Sequence, residues 1–276
     1  MKTRVITGAV LVAVLIPIAY FSGTYVWCVT MALLSGLGVF EMLRCIGIHK
    51  NLFVTLPCVG LGLALPVLAK VFPQNGFTIL SVSTGLLMFW LFSVSLFSHG
   101  GLPVDTAGCA YFGLTYVLWG FCLLSLIREL EHGAYLFLLP FLGAWISDTF
   151  AYFTGRLFGR HKLIPDVSPK KTVEGAVGGV LFAMAFFALY GFVVSKLSPD
   201  VHPRYLALFL LGLPVSLISI VGDLVMSLVK RRYGVKDYGK LFPGHGGVLD
   251  RFDSVMATSI VLYLLCAFTS FFGLLF

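Results

Sequence analysis

Charge is scarce in this sequence. Asp, Glu, Lys and Arg make up 11% of its 276 residues, against roughly 25% in an ordinary soluble domain. With 59% hydrophobic residues, a water-soluble globule would expose more apolar surface than such a protein tolerates. Intrinsic disorder is excluded as well, because it requires low hydrophobicity and high charge. Cysteine pairs at short spacing are missing. None of the six cysteines stands in a C-x-x-C arrangement, so neither a zinc site nor a redox pair is written into the chain. Cys28, Cys58, Cys109, Cys122 and Cys266 fall inside apolar runs and Cys45 just past one, as small buried hydrophobes do. No internal repeat is visible. No small-x-small cleavage site follows Lys2, Arg4 and the first apolar run, so that run reads as a membrane span rather than a removed signal.

What the chain has in abundance is long hydrophobic sequence, with a mean hydropathy of +0.98. A helix needs about 20 apolar residues to cross a hydrocarbon core. Such runs lie near 5–21, 25–43, 52–71, 77–97, 107–127, 134–154, 175–194, 205–229 and 252–276. The expected fold is therefore all-α, a polytopic integral membrane protein of about nine transmembrane helices. Lys and Arg concentrate in cytoplasmic loops. With the N-terminus cytoplasmic, fifteen of the nineteen basic residues fall on the inside, and only Lys70, Arg128, Lys196 and Arg204 fall outside. The formal net charge of +7 and pI near 9.1 are then mostly this bias, together with attraction to anionic membrane lipids. No loop carries an aromatic and basic platform for bases, so nucleic acid is not an expected partner. The compact chain without a targeting extension suggests a bacterial cytoplasmic membrane.

The chain divides near residue 130. Residues 1–130 hold five spans that themselves carry almost no ionisable side chain, joined by short loops, a region suited to scaffolding or lipid access. Residues 131–276 hold four spans and two longer cytoplasmic loops, about 155–174 and 230–251. Acids enter the spans here. Asp148 lies in the sixth and Asp223 in the eighth, where a charge costs at least about 2.5–3.5 kcal/mol and is usually functional. Asp148 precedes Arg156 by eight residues and Asp223 precedes Lys230 by seven. At about 1.5 Å per residue, both lie roughly 10–12 Å from the cytoplasmic helix ends. Glu174 opens the seventh span and Asp253 the ninth, with Asp250 just before it. The five acids share one cytoplasm-facing shell and can line a common pocket if their helices are neighbours.

Carboxylates without a Cys/His set favour a hard cation such as magnesium, which prefers carboxylate and phosphate oxygens. Lys and Arg beside it would neutralise phosphate oxygens. The glycines at 234, 239, 244, 246 and 247 can let backbone N–H groups approach an anion, ahead of a helix N-terminus whose dipole favours negative charge. Plainer readings stand beside these. Asp250 and Asp253 read equally well as helix N-caps, and Asp148 can serve only to orient a Lys or Arg. Lys230 and Arg231 are also ordinary residues for a snorkelling helix end. The positive-inside bias alone accounts for Lys162, Arg232 and Lys240. Thr172 can cap the seventh helix, and Gly175-x-x-x-Gly179 reads as a close helix-packing face.

Across 227–253 the residues Ser227, Lys230-Arg231, Lys236-Asp237, Gly239, Pro243-Gly-His245-Gly246-Gly247 and Asp250-Arg251-Phe-Asp253 resemble the signature of phosphatidate cytidylyltransferases, the CDP-diacylglycerol synthases, with its spacing intact. Ser147-Asp148, Gly155-Arg156 and Ser168-Pro169-Lys170-Lys171-Thr172-Val-Glu174-Gly175 are similar to further blocks of that family. The resemblance is close over the C-terminal half and only hydropathic over the N-terminal half. It implies transfer of a cytidylyl group from CTP to phosphatidic acid, giving CDP-diacylglycerol and pyrophosphate. Magnesium is the implied cofactor, with a second cation left open, and a homodimer is a family-based expectation. On this resemblance Asp223 and Asp250 are the foremost metal ligands, followed by Asp148 and Asp253. The catalytic group is Asp223, Asp250, Lys230 and Arg251. Substrate contacts are expected from Lys170, Lys171, Arg231, Lys236, His245, Gly246, Gly247 and Ser227. A transporter is the main rival, since intramembrane acids also mark ion paths. A path would need polar residues on the outer side, and the first five spans offer none. A CTP-dependent lipid kinase is the second rival, against which the intact His-Gly-Gly-x-x-Asp-Arg-x-Asp run argues.

Overall fold

The computed structural model describes residues 13–98, 101–244, 246–268 and 275. The predicted first span lies largely outside these residues, and its described part is helical over 13–20. Beyond it come α1 (Tyr25–Ile46), α2 (Leu52–Val71), α3 (Gly76–Phe97), α4 (Val104–Glu129), a one-turn α5 (Gly133–Leu136) and α6 (Leu139–Phe158). Two short strands follow, β1 (Lys162–Ile164) and β2 (Ser168–Thr172), and then α7 (Val173–Leu197), α8 (Tyr205–Arg232) and α9 (Leu249–Phe268). Among the described residues, eight helical segments are long and apolar enough to cross a membrane, with α5 and α6 forming a single span. They match the predicted runs from the second to the ninth, and the chain is an all-α polytopic membrane protein.

The antiparallel pairing of β1 with β2 was not expected. The loop between the sixth and seventh spans is polar, and Pro165 follows Ile164 where the hairpin turns. Pairing the two strands satisfies backbone groups that the helices leave behind. The hairpin contacts both α6 and α7.

The described residues divide into two compact units, one drawn from Met1–Glu129 and Arg232–Phe252, the other from Leu130–Arg231 and Asp253–Phe276. In the first unit α4 packs against α1, α2 and α3 and buries Leu114, Val117, Leu118 and Phe121. Small residues permit the close contacts. A Cβ on Gly62 of α2 would come within 3.1 Å of the Gly36 Cα of α1, as expected where apolar helices associate by packing alone. Pro57 in α2 has no N–H for the Phe53 carbonyl, and the Trp90 indole of α3 donates to that oxygen at 3.2 Å.

In the second unit α6 and α7 run together along the predicted glycine face. A Cβ on Gly175 would stand 2.6 Å from the Ala151 carbonyl oxygen, and one on Gly179 would stand 2.7 Å from that of Ser147. The hydroxyls of Ser147 on α6 and Ser216 on α8 are buried and hydrogen-bonded at 2.7 Å. Thr258 on α9 donates to the Pro140 carbonyl at 3.0 Å. These buried hydroxyls thus find partners on neighbouring helices, as a low-dielectric interior favours.

Candidate active site

The second unit contains a cleft of about 380 Å³. One wall is α6, with Asp148, Ala151, Tyr152, Gly155 and Arg156. The hairpin adds Leu163, Ser168, Lys170 and Lys171, and α7 and α8 close the remaining sides with Ala176, Ile220 and Asp223. The glycine contacts between α6 and α7 hold the two helices close beneath the hairpin. Thr172 caps α7, its hydroxyl accepting from the Gly175 N–H at 3.1 Å. Glu174 in the first turn accepts from the Arg160 and His161 backbone N–H groups and meets His161 Nδ1 at 2.6 Å. Glu174 therefore ties the start of the hairpin to α7 and does not line the cleft.

The central contact is between Lys171 and Asp223. The ammonium of β2 reaches the carboxylate of α8, Nζ to Oδ2, at 2.5 Å, and each side chain is 24% exposed. Ser227 Oγ stands one turn along, 3.5 Å from Asp223 Oδ1, at the outer limit of a hydrogen bond. Asp253 is buried on α9 and takes the Ser254 N–H at 2.8 Å. Asp223, Lys230 and Asp148 all lie within its electrostatic reach, and Lys230 is buried too. Lys171 thus meets Asp223, and Asp148, Asp223 and Lys230 lie near Asp253, within one unit. Of the five acids expected to share a pocket, Glu174 turns to the hairpin and Asp250 belongs to the other unit. Among the described residues, no three His, Cys, Asp or Glu side chains form a ready-made metal cage.

The signature loop belongs to the first unit, and its acids and glycines are used differently. Asp250 Oδ2 accepts from the backbone N–H groups of Tyr238, Gly239 and Gly247 at 2.8, 3.3 and 2.9 Å. Glu41, buried on α1, accepts from Val248 N–H at 3.1 Å through Oε1 and from Leu249 N–H at 3.0 Å through Oε2. The N-terminus of α9 thus already has two carboxylates facing it. Gly246 has φ +89, a left-handed conformation that favours glycine, and a Cβ there would press on Asp250. Gly239 and Gly247 leave the space that the Glu41 carboxylate fills. The glycines thus fold the loop around protein carboxylates, and the Gly247 amide is committed to Asp250.

Of the remaining expected residues, Lys170 is exposed at the cleft, and Arg231, Lys236 and Arg251 are exposed. His245 lies outside the described residues. Tyr233, just past α8, is a neutral phenol: burial, with a hydrogen bond to Cys109 next in weight, pushes its pKa up to about 12. Sequence reasoning missed Glu41 and Arg44. An acid near the end of a 22-residue apolar helix was the available signal, the same kind of signal that singled out Asp148 and Asp223.

Comparison with known proteins agrees with this chemistry. The family model described as the cytidylyltransferase family matches residues 2–269. A phosphatidate cytidylyltransferase of Staphylococcus saprophyticus is 34% identical over 265 residues, covering 93% of this chain and 95% of the relative. One of Bacillus subtilis is 32% identical over 276 residues, covering 98% and 99%. One of Aquifex aeolicus reaches 41% over 164 residues, covering 57% and 58%. With a family match along nearly its whole length and its acids and lysines gathered at one cleft among membrane helices, this chain belongs to the cytidylyltransferase family and is a membrane-embedded nucleotidyl-transferring enzyme.

Proposed function

We propose that the protein transfers the cytidylyl group of CTP to phosphatidic acid, giving CDP-diacylglycerol and pyrophosphate, at a cytoplasm-facing site in a bacterial cytoplasmic membrane. The carrying observation is the Lys171–Asp223 pair inside a cleft that also presents Asp148, Arg156 and Lys170. A phosphate oxygen of the lipid attacks the α-phosphorus of CTP, and the bond to the β-phosphate oxygen breaks. That oxygen is already anionic near neutral pH, so no strong general base is required. The demand falls on bringing two polyanions together in line. Lys170, Lys171 and Arg156 are placed to lower their repulsion and to steady departing pyrophosphate. Lys230, buried within electrostatic reach of Asp253, adds positive potential. Tyr152 lines the cleft, and Phe153, Leu157 and Phe158 next to it are exposed, an apolar lip suited to lipid tails.

The donor chemistry fits a hard divalent cation, because the acids present only oxygen and have no thiolate among them. Magnesium uses one or two carboxylates and completes its shell with water and substrate phosphate, so an open set of acids suits it better than a closed cage. Asp223 is the foremost proposed ligand, with Asp148 and Asp253 in the same unit. Asp250 is proposed on the family signature, and the three backbone amides on its Oδ2 fix the orientation of its carboxylate. When bound, the cation would supply charge neutralisation for the phosphates. Purified protein in detergent is expected to form CDP-diacylglycerol from CTP and phosphatidic acid only with a divalent cation. Full turnover in excess chelator would remove the metal from the proposal, and no product under any condition would refute the reaction.

A further inference from the structure

Glu41 is a carboxylate 6% exposed inside the first unit, and the proposed chemistry has no use for it. Burying an ionised group is costly unless it is paired or hydrogen-bonded. Its two oxygens meet two consecutive N–H groups, those of Val248 and Leu249, at a helix N-terminus where the dipole favours negative charge. Gly239 and Gly247 lack the Cβ atoms that would occupy its space. Three residues along α1, one helical turn, Arg44 donates from Nη2 to the Tyr238 carbonyl, while Asp250 holds the Tyr238, Gly239 and Gly247 amides. The loop that carries the family signature is thus fastened at both ends to one face of α1.

We infer that Glu41, assisted by Arg44, is a positioning residue for the nucleotidyl transfer, holding Tyr238, Gly239, Gly247, Val248 and Leu249 in the conformation that orients Asp250. The inference rests on the proposed reaction, and its test has a reading independent of turnover. In Glu41→Gln the amide offers one acceptor oxygen and sets an NH₂ group against the second backbone N–H. Hydrogen exchange of the purified full-length variant is expected to rise across 238–249 while the helices of the second unit keep their protection. The kcat is expected to fall roughly 10–100-fold, the scale on which a small misplacement acts. The KM for CTP is expected to rise about threefold or more, because a repositioned loop alters substrate binding as well as chemistry. A smaller folded fraction lowers apparent kcat but cannot raise KM. Should Glu41→Gln fail to fold, Arg44→Met decides, since Arg44 is exposed and its loss removes the hydrogen bond to the Tyr238 carbonyl and a positive charge near Glu41 while keeping both Glu41 hydrogen bonds. Faster exchange at 238–239 with a raised KM supports the inference. Unchanged exchange and unchanged KM in the variant that folds overturns it. A native protein that makes no CDP-diacylglycerol refutes the proposed reaction, and the exchange measurement still decides whether Glu41 holds the loop.

Discussion

Asp223 is held by a cation from another element and stands beside two further acids. Lys171 neutralises it from the hairpin, and Asp253 lies within its electrostatic reach. Removing its charge leaves the lysine unpaired in the cleft and takes away the foremost proposed cation ligand. Asp223→Asn is therefore expected to lower turnover on the order of 100-fold or more, the usual scale for deleting one preorganised electrostatic group. The cost in stability is expected to be small, because both partners are a quarter exposed and ion pairs of that kind contribute little. Parallel assays of CDP-diacylglycerol formation and of the thermal midpoint in detergent separate the two effects. A near-normal rate would place Asp223 outside the chemistry. Asp148 and Asp223 were legible in the sequence because each is a lone acid in an apolar run. Glu41 obeys the same rule but sits near a helix end, where a charge reads as an interfacial residue. Its partners are backbone amides 207 and 208 residues away, which no side-chain pattern announces.

Among elements, α6 and α7 set the geometry of the cleft. Their glycine contacts bring the Asp148 face and the hairpin root together, and the fit is tight. Gly179→Ala would put a methyl group 2.7 Å from the Ser147 carbonyl oxygen and 3.1 Å from the Ala151 Cβ. Forcing the helices apart is expected to cost about 1–3 kcal/mol and to reduce activity with it. Gly85→Ala on α3 is the matched control, since nothing lies within 4 Å of its added Cβ. Its thermal midpoint is expected to equal or exceed that of the native protein, because alanine is the better helix former. Equal loss of stability in both variants would contradict the packing argument. The helices and the Gly175-x-x-x-Gly179 face follow from hydrophobic runs and residue size, which are local properties. The hairpin escaped prediction because Pro165, Pro169 and a run of lysines hide any two-residue alternation. Contacts with α6 and α7 hold it in place.

At the scale of the whole molecule, the proposed orientation in the bilayer rests on the distribution of Lys and Arg. In the proposed orientation the 232–244 segment faces the cytoplasm, as the positive-inside rule would have it. A cysteine at Lys240, an exposed position, tests this when the exposed Cys109 and the partly exposed Cys45 are replaced by serine. An impermeant thiol reagent is expected to label it in inverted vesicles and not in intact cells. Labelling from the outer side would overturn the orientation.

By itself the sequence determined that the chain is a helical membrane protein of the cytidylyltransferase class. Span length, charge bias and motif spacing are properties of consecutive residues, and the bilayer reads them in order. The tertiary structure decided which groups meet. It brought Lys171 to Asp223, gave the signature glycines to the carboxylates of Glu41 and Asp250, and joined the 232–252 segment to the unit built from the N-terminal helices. These choices depend on contacts between residues far apart in the chain, where a buried carboxylate must find donors wherever packing provides them.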